Sequence, residues 1–274
     1  MPQKKEQELV SILRGMGSCI VAFSGGVDSA YLAFIANQEL GKAALAVTAD
    51  SPSYPTYQRN VALGLVKKYG FLHEFIDSGE MADANYTANP TNRCYFCKHD
   101  LYSRLQSMAT QRGFRFVVDG NNLDDTGDYR PGRKAGSELE IRSPLIEAGM
   151  NKAEIRELSR LHGLPTWDQP ASACLSSRIP YGSEVTVDKL RMIDQGEEVL
   201  RAAGFRRSRV RHHGDVARIE IGRDEMVKAF DLKLFDKLSR EFKQIGFQFV
   251  ALDMDGYRTG ALNEVLTQIK VSSK

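Results

Sequence analysis

The chain has 274 residues, of which 42% are hydrophobic, and a formal net charge of +2. This length and composition allow a sizeable buried core in one large domain, or in a domain with a smaller second one. A charge so close to balance argues against the extended positive surface typical of proteins that grip long stretches of nucleic acid. The charged start lacks a long apolar segment, and we expect a cytoplasmic protein without a membrane span.

Strands and helices alternate along the first part of the chain. Short apolar runs predict strands at residues 20–23, 43–49, 73–77 and 114–120. Helical spacing of apolar residues predicts helices at 30–40, 56–69, 98–112 and 152–162. This alternation is typical of an α/β fold with a parallel sheet covered by helices on both faces. Ligands in such folds bind beyond the carboxyl ends of the strands.

The pattern changes after residue 182. A long helix at 188–203, a hairpin-like pair at 208–221, helical segments up to 244 and a strand at 247–254 predict a smaller α+β domain. We place the boundary near Gly182, which gives domains at 1–182 and 183–274.

The stretch SGGVDS, Ser24 to Ser29, joins the first strand to the first helix after it. Two adjacent glycines allow close approach of a ligand to the backbone, and Ser24 and Ser29 offer hydroxyls. The helix that follows points N–H groups at the same place, so the turn predicts an anion site. The alternative is a helix-capping turn that binds nothing. Neither GxxxxGK[ST] nor GxGxxG is present.

Two further polar segments are candidates for functional loops. Residues 120–140 include DGNNLDDTGDYRPGRKAG, and a loop of this length inside a domain is usually functional or disordered. Arg130 in this loop stabilises a turn or takes part in function. The second segment, GLPTWDQPASACLSSRIPYGS, is irregular and punctuated by Pro and Gly.

The four cysteines divide into two kinds. Cys19 starts a buried strand and behaves as a small hydrophobic residue. Cys94 and Cys97 form a CxxC motif at a helix start, which fits a redox dithiol, half of a zinc site or part of an iron–sulfur site. With Cys174, they could join His99 around zinc or hold three irons of a [4Fe–4S] cluster and leave the fourth open. The alternative is a purely structural zinc site, or three thiols that share no function.

SGGVDS resembles the PP-loop of ATP pyrophosphatases, which activate substrates as adenylates. The resemblance implies that the loop holds the pyrophosphate end of ATP and that Asp28 helps to hold Mg²⁺, since a hard dication prefers carboxylate oxygen. It places Asp50 and Ser51 near the adenosine, where solvated turn residues are the alternative. The residues implied to hold the nucleotide phosphates are Ser24, Gly25, Gly26 and Ser29.

Four motifs in order, SGGVDS, DGNNLDDTGDYRPG, ASACLSSRIPYG and VRHHGDVARIE, resemble the LarE family over most of the chain. The family comprises ATP-dependent sulfur transferases that make the nickel-pincer nucleotide cofactor of lactate racemase. The resemblance implies conversion of the two carboxylates of pyridinium-3,5-dicarboxylate mononucleotide to thiocarboxylates. It also implies a homo-oligomer.

The resemblance bears on three of the cysteines. Some members use a single cysteine, which matches Cys174, as a sulfur donor that becomes dehydroalanine. This chain departs from that pattern by adding Cys94 and Cys97 and is similar to the three-cysteine branch. That branch implies an oxygen-sensitive [4Fe–4S] cluster on the three cysteines, whose open iron carries the transferred sulfide and makes the enzyme catalytic.

Arginines in RSRVRHH predict a phosphate site. Arg207, Arg209 and Arg211 alternate, so they share a face if the run is a strand, and guanidinium groups bind phosphate through paired hydrogen bonds. The resemblance matches Arg209 and Arg211 to the positions for the substrate phosphate. The alternative is a solvated strand face.

Four further residues are assigned by the resemblance. Ser177 and Arg178 follow Cys174 and are expected to shape the same cleft. Glu197 and Glu220 are implied as magnesium ligands or as groups that support the site.

Two rival functions fit parts of the pattern. PP-loop proteins also thiolate tRNA, but such an enzyme is expected to show a wider basic surface or an added RNA-binding module. The other rival is a zinc-stapled nucleotide-binding module without catalysis. We expect a small pyridinium mononucleotide as the partner, with no nucleic acid and no membrane, and the sequence does not identify the sulfide donor.

Overall fold

The computed structural model describes residues 1–126, 131–170 and 172–258. The chain forms two compact units. The first contains Met1–Tyr86 and Pro90–Ser172, and the second contains Thr87–Asn89 and the chain from Ala173 onward. Arg130 lies outside the described residues.

A parallel four-stranded sheet is the centre of the first unit. Its strands are β1 (Cys19–Ala22), β2 (Ala44–Asp50), β3 (His73–Asp77) and β4 (Phe116–Val118). The spatial order is β3-β2-β1-β4, so the direction of winding reverses between β1 and β4. Because ligands in open α/β sheets bind at such a switch point, the loop that follows β1 occupies the favoured position.

Helices cover both faces of this sheet, as predicted. The helices in this part of the chain are α1 (Pro2–Met16), α2 (Val27–Leu40), α3 (Thr56–Tyr69), α4 (Ala84–Thr87), α5 (Arg93–Arg112), α6 (Pro131–Glu138), α7 (Pro144–Glu147) and α8 (Lys152–Leu161). Alternate residues of β1 point to opposite faces. Cys19 and Val21 pack in the core with α1, α2 and α8, whereas Ile20 packs in a second core with α5.

Two elements differ from the sequence expectation. The segment 120–140, predicted as a loop, contains a 3₁₀ turn at Leu123–Thr126 and the helix α6. Pro131 begins α6, where its fixed φ angle favours a first helical turn. Helix α5 begins at Arg93 rather than near residue 98, so both cysteines of the CxxC motif lie inside its first turns.

The second unit is a small α+β structure. Its elements are α9 (Val187–Ala202), β5 (Ser208–His213), β6 (Val216–Ile221), α10 (Met226–Ala229), α11 (Leu232–Ile245) and β7 (Phe249–Leu252). The sheet order is β5-β6-β7, with an antiparallel β5–β6 pair and a parallel β6–β7 pair. Val210, Ile219 and Phe242 belong to its core. No helix within the described ranges is long and apolar enough to span a membrane.

The second unit begins at Ala173, earlier than the boundary we expected near Gly182. Hydrogen bonds explain the difference. The Asn89 side-chain amide donates to the carbonyl oxygens of Pro180 at 2.8 Å and Ser183 at 3.0 Å. The Val185 N–H donates to the carbonyl oxygen of Thr87 at 2.8 Å. These bonds tie the irregular segment and residues 87–89 to the same unit.

Gly120, two residues after the end of β4, lies against the start of α2. A Cβ atom at this position would lie 2.9 Å from the Ser29 nitrogen and 3.0 Å from the Ser29 Cα. Both atoms belong to the backbone of the first turn of α2, so a larger residue would displace the start of that helix.

We predict that Gly120→Ala lowers the free energy of unfolding of the first unit by about 1–3 kcal/mol, because the added methyl group overpacks against backbone. The control is Gly64→Ala, in the exposed interior of α3, where a Cβ meets nothing within 4 Å. This change should raise the free energy of unfolding by about 0.5–1 kcal/mol. Urea denaturation measures both, and equal effects would show that the close approach at Gly120 is unimportant.

Candidate functional site

The loop between β1 and α2 has the geometry of an anion site. Gly25 has φ +69°, and a Cβ there would lie 3.0 Å from the Cβ of Ala62, so the position requires glycine. The hydroxyl oxygens of Ser24 and Ser29 are 3.1 Å apart on the loop. No described side chain caps α2 at Gly26, so the partial positive charge of the helix start faces the loop.

Asp28 lies in the first turn of α2, and only one of its two carboxylate oxygens has a hydrogen-bond partner in the described residues. Its Oδ2 accepts a hydrogen bond from the Lys152 ammonium. Its Oδ1 is buried and has no hydrogen-bond partner in the described parts of the chain. Burial raises the pKa of Asp28, against the opposing attraction of Lys152. A buried oxygen without a donor fits a hard cation, which supports the predicted role of Asp28 toward Mg²⁺.

The loop after β2 braces the loop after β1. The Tyr54 hydroxyl lies 2.9 Å from the carbonyl oxygen of Ser24 and 3.2 Å from that of Gln58. Because Gln58 also lies 3.1 Å from a Cβ built at Gly25, the start of α3 supports the same turn. The turn is thus held from two sides before any ligand binds.

Asp50 and Ser51, the residues expected near adenosine, are engaged by protein groups. Asp50 pairs with Arg59 at 2.9 Å, and the Ser51 hydroxyl donates to the buried carboxylate of Glu80. Ser53 donates to the same carboxylate at 2.6 Å. The adenosine contact of Asp50 and Ser51 stays a prediction.

Cys94 and Cys97 lie three positions apart near the start of α5 and share one side of the helix. Cys94 is exposed, and the partly buried Cys97 thiol donates to Glu80 Oε2 at 2.8 Å. A helix start favours the thiolate form, which binds metals. Cys19 is different, because burial raises the pKa of its thiol to about 12, as expected of an inert core residue.

No group of three or more His, Cys, Asp or Glu side chains that could hold a metal ion is assembled in residues 1–126, 131–170 and 172–258. A zinc site on Cys94, Cys97, Cys174 and His99 stays a prediction. The CxxC motif supplies a pair of thiols that fits two corners of a larger site. The three-cysteine ligand set stays a prediction.

In the second unit, Cys174 precedes a 3₁₀ turn at Leu175–Arg178, and its backbone is held firmly. The buried Arg178 guanidinium donates to the carbonyl oxygens of Ala173 at 2.9 Å and Cys174 at 3.0 Å. The Ser177 hydroxyl donates to the Cys174 carbonyl oxygen at 2.7 Å. These hydrogen bonds hold the backbone at Cys174, and a cleft shaped by Ser177 and Arg178 stays a prediction.

A buried ion pair fixes Arg178. Its Nε donates to Glu197 Oε1 at 2.8 Å and its Nη2 to Glu197 Oε2 at 3.2 Å. Burial alone would raise the pKa of Glu197, but attraction and hydrogen bonds from Arg178 hold that pKa below its usual value. Glu197 is a charged anchor for Arg178.

Glu220 plays the same part for two other arginines. Arg211 donates to both Glu220 oxygens at 2.9 and 2.8 Å, and Arg218 donates to Oε1 at 2.9 Å. Arg211 also donates to the carbonyl oxygen of Ser177 at 2.8 Å. Of the two roles expected for Glu197 and Glu220, these contacts favour support of the site, and metal binding stays a prediction.

Arg209 and Arg211 are both on β5, two positions apart, as predicted for a shared face. The Arg209 guanidinium carbon lies 5.0 Å from the centre of the Tyr257 ring. Burial and the nearby Arg178 lower the pKa of Arg209. Arg207 does not join this face. It precedes β5 and pairs with Asp224.

Three arginines lie near one another in the second unit and fit a phosphate site. Arg178 and Arg211 are buried and are held by the carboxylates of Glu197 and Glu220, whereas burial and the charges of Arg178 and Arg211 lower the pKa of Arg209. An anionic group would relieve their mutual repulsion.

The structure adds site residues that the sequence analysis missed. Two of them could have been found in the sequence, since Asn151 and Glu154 have the spacing of a capping box around Lys152 and Gly120 ends the run predicted as a strand at 114–120. No sequence pattern indicated Tyr54 or Glu80, because their contacts join distant parts of the chain.

Comparison with curated proteins identifies the family, although no family model matches the chain. Over 271 residues, the chain is 35% identical to the pyridinium-3,5-bisthiocarboxylic acid mononucleotide synthase of Lactiplantibacillus plantarum, covering 98% of this chain and 97% of that protein. The chain belongs to the LarE family. The predicted fold class and family are confirmed, and this LarE chain is an ATP-dependent sulfur transferase.

This LarE chain is also similar to two other curated proteins. An uncharacterised protein of Synechocystis is 43% identical over 268 residues, which cover 98% of this chain and all of that protein. The glutamine-hydrolysing GMP synthase of Aeropyrum pernix is 25% identical over 221 residues, which cover 73% of this chain and 43% of that protein.

Proposed function

We propose that this LarE family member converts the carboxylates of pyridinium-3,5-dicarboxylate mononucleotide to thiocarboxylates, using ATP and Mg²⁺, in nickel-pincer nucleotide synthesis. We further propose that it acts in the cytoplasm, as a homo-oligomer, on the mononucleotide itself rather than on nucleic acid. The observation that carries the proposal is Asp28 in the first turn of α2, whose carboxylate is largely buried and has a buried Oδ1 without a partner in the described residues.

Activation of the carboxylate is the task of the first unit. A carboxylate is a poor electrophile, so one of its oxygens first attacks the α-phosphorus of ATP. The bond from that phosphorus to the bridging oxygen breaks, and pyrophosphate leaves with the electron pair. Ser24, Ser29 and the N–H groups at the start of α2 would hold this leaving group. Asp28 would hold Mg²⁺, which neutralises the developing charge.

Transfer of sulfur completes the reaction. Sulfide attacks the acyl carbon, a carbon–sulfur bond forms, and the carbon–oxygen bond breaks as AMP leaves. Arg209 and Arg211 would bind the phosphate of the substrate, which orients its ring. Arg178 and Ser177 would keep the backbone of Cys174 in position.

The source of sulfide separates two forms of the reaction. We propose that Cys94, Cys97 and Cys174 ligate a [4Fe–4S] cluster. When bound, such a cluster supplies an iron without a cysteine ligand, which can carry sulfide. Cys94 and Cys97 lie near the start of α5, where the partial positive charge of the helix favours thiolates. This position supports their role as thiolate ligands. Sacrifice of the Cys174 sulfur is the alternative form.

We predict that protein purified without oxygen forms AMP, pyrophosphate and thiocarboxylate from ATP, Mg²⁺, the dicarboxylate mononucleotide and sulfide. Asp28→Asn should lower the rate of pyrophosphate release by about a hundredfold or more, because charge in the transition state loses its stabilisation. Asp236→Asn, on the exposed side of α11, is the matched control and should keep full activity. Cleavage of ATP to ADP, or normal pyrophosphate release by Asp28→Asn, would contradict the proposal.

The cluster predicts about four irons and four acid-labile sulfides per chain after reconstitution. Cys94→Ala should lose this iron and form no more than one product per chain, whereas Cys19→Ala in the core should retain both iron and turnover. Elemental analysis and a product count measure the two effects. Bound zinc in the native protein, or unchanged iron in Cys94→Ala, would rule out the cluster ligands named here.

A further inference from the structure

We propose that Tyr257 is a positioning residue for the substrate phosphate, and that its ring holds the Arg209 guanidinium in place while the positive charge of that group is kept. The inference rests on the proposed function, in which Arg209 binds the phosphate of the mononucleotide, and adds a residue that acts through Arg209. The Arg209 guanidinium carbon lies 5.0 Å from the centre of the Tyr257 ring, which is within the range of a cation–π contact.

The arginines of the second unit are held by two kinds of contact. Arg178 and Arg211 each donate two hydrogen bonds to one carboxylate. Such a pair orients a guanidinium, but the carboxylate also offsets its positive charge. The Tyr257 ring attracts the Arg209 guanidinium through its π-electrons and carries no net charge. This contact therefore orients a cation without weakening its attraction for an incoming phosphate.

The position of the Tyr257 ring is fixed by its backbone. The Tyr257 N–H donates to the carbonyl oxygen of Ile221, the last residue of β6, at 2.8 Å. Gly256 has φ +70°, and a Cβ there would lie 2.6 Å from the same carbonyl oxygen, so the turn before Tyr257 requires glycine. Ile221 is paired with Ser208, the neighbour of Arg209. The turn thus places Tyr257 beside the start of β5.

The surroundings of Arg209 explain why it needs this support. Burial and the charges of Arg178 and Arg211 lower the pKa of Arg209, so its neighbours disfavour the cation. A long side chain of this kind has many rotamers and can move away from groups that repel it. The Tyr257 ring offsets part of the repulsion and restricts these rotamers. A guanidinium that is already oriented loses less entropy when phosphate binds.

The test measures binding of nicotinic acid mononucleotide, a pyridinium mononucleotide, to the full chain by calorimetry. We expect Tyr257→Leu to weaken binding by about 3- to 30-fold, the range for one cation–π contact. Tyr257→Phe keeps the ring and should retain most of the affinity. Phe230→Leu, an exposed aromatic position between α10 and α11, is the matched control and should bind as the native protein does.

A double-mutant cycle separates positioning from a general effect on the fold. We expect Arg209→Met to weaken binding by about 10- to 100-fold, the range for hydrogen bonds to a charged group. If Tyr257 acts through Arg209, adding Tyr257→Leu to Arg209→Met should cause no further loss. A tyrosine that only stabilises the second unit would lower the affinity equally in both backgrounds, and that result would overturn the inference.

Two further outcomes distinguish the inference from the proposed function. Native affinity in Tyr257→Leu together with weak binding by Arg209→Met would overturn the inference alone, as would a loss in Tyr257→Phe as large as that in Tyr257→Leu. Native affinity in Arg209→Met, or no binding of the mononucleotide by the native protein, would overturn both the inference and the phosphate site of the proposed function.

Discussion

The arrangement of the first unit depends on the negative charge of Asp28. This carboxylate is largely buried and lies at the switch point of the sheet. A buried carboxylate must have a partner, and the chain supplies Lys152 from the start of α8. Gly120 after β4 lets the neighbouring backbone approach the first turn of α2. Tyr54 holds the loop from the opposite side. Elements distant in sequence thus converge on one charged group.

The second unit follows the same principle with the signs reversed. Its candidate site is built from guanidinium groups, and the carboxylates of Glu197 and Glu220 hold Arg178 and Arg211 in fixed orientations. Such pairs gain little net stability, because removing both charges from water offsets their attraction. Their benefit is preorganisation, since fixed donors need not reorient when an anion binds. Each unit therefore carries prearranged charge of its own.

Local pattern predicted most of the fold. The expected strand at 43–49 is Ala44–Asp50, and the expected helix at 56–69 is Thr56–Tyr69, because apolar periodicity and turn residues act over short distances. SGGVDS revealed the loop for the same reason. The ion pair of Asp28 with Lys152 and the bonds that move the domain boundary to Ala173 were not predictable. They join residues far apart in the chain, and periodicity contains no information about such pairs.

The central claim is that ATP activates a carboxylate of the substrate as an acyl adenylate, and an isotope experiment tests it most directly. The dicarboxylate mononucleotide is labelled with ¹⁸O in its carboxylates and converted in the presence of ATP, Mg²⁺ and sulfide, and the AMP is analysed by mass spectrometry. Because the carbon–oxygen bond breaks when sulfide displaces AMP, the account predicts one ¹⁸O in each AMP and none in pyrophosphate. Thiocarboxylate formed together with unlabelled AMP would contradict it.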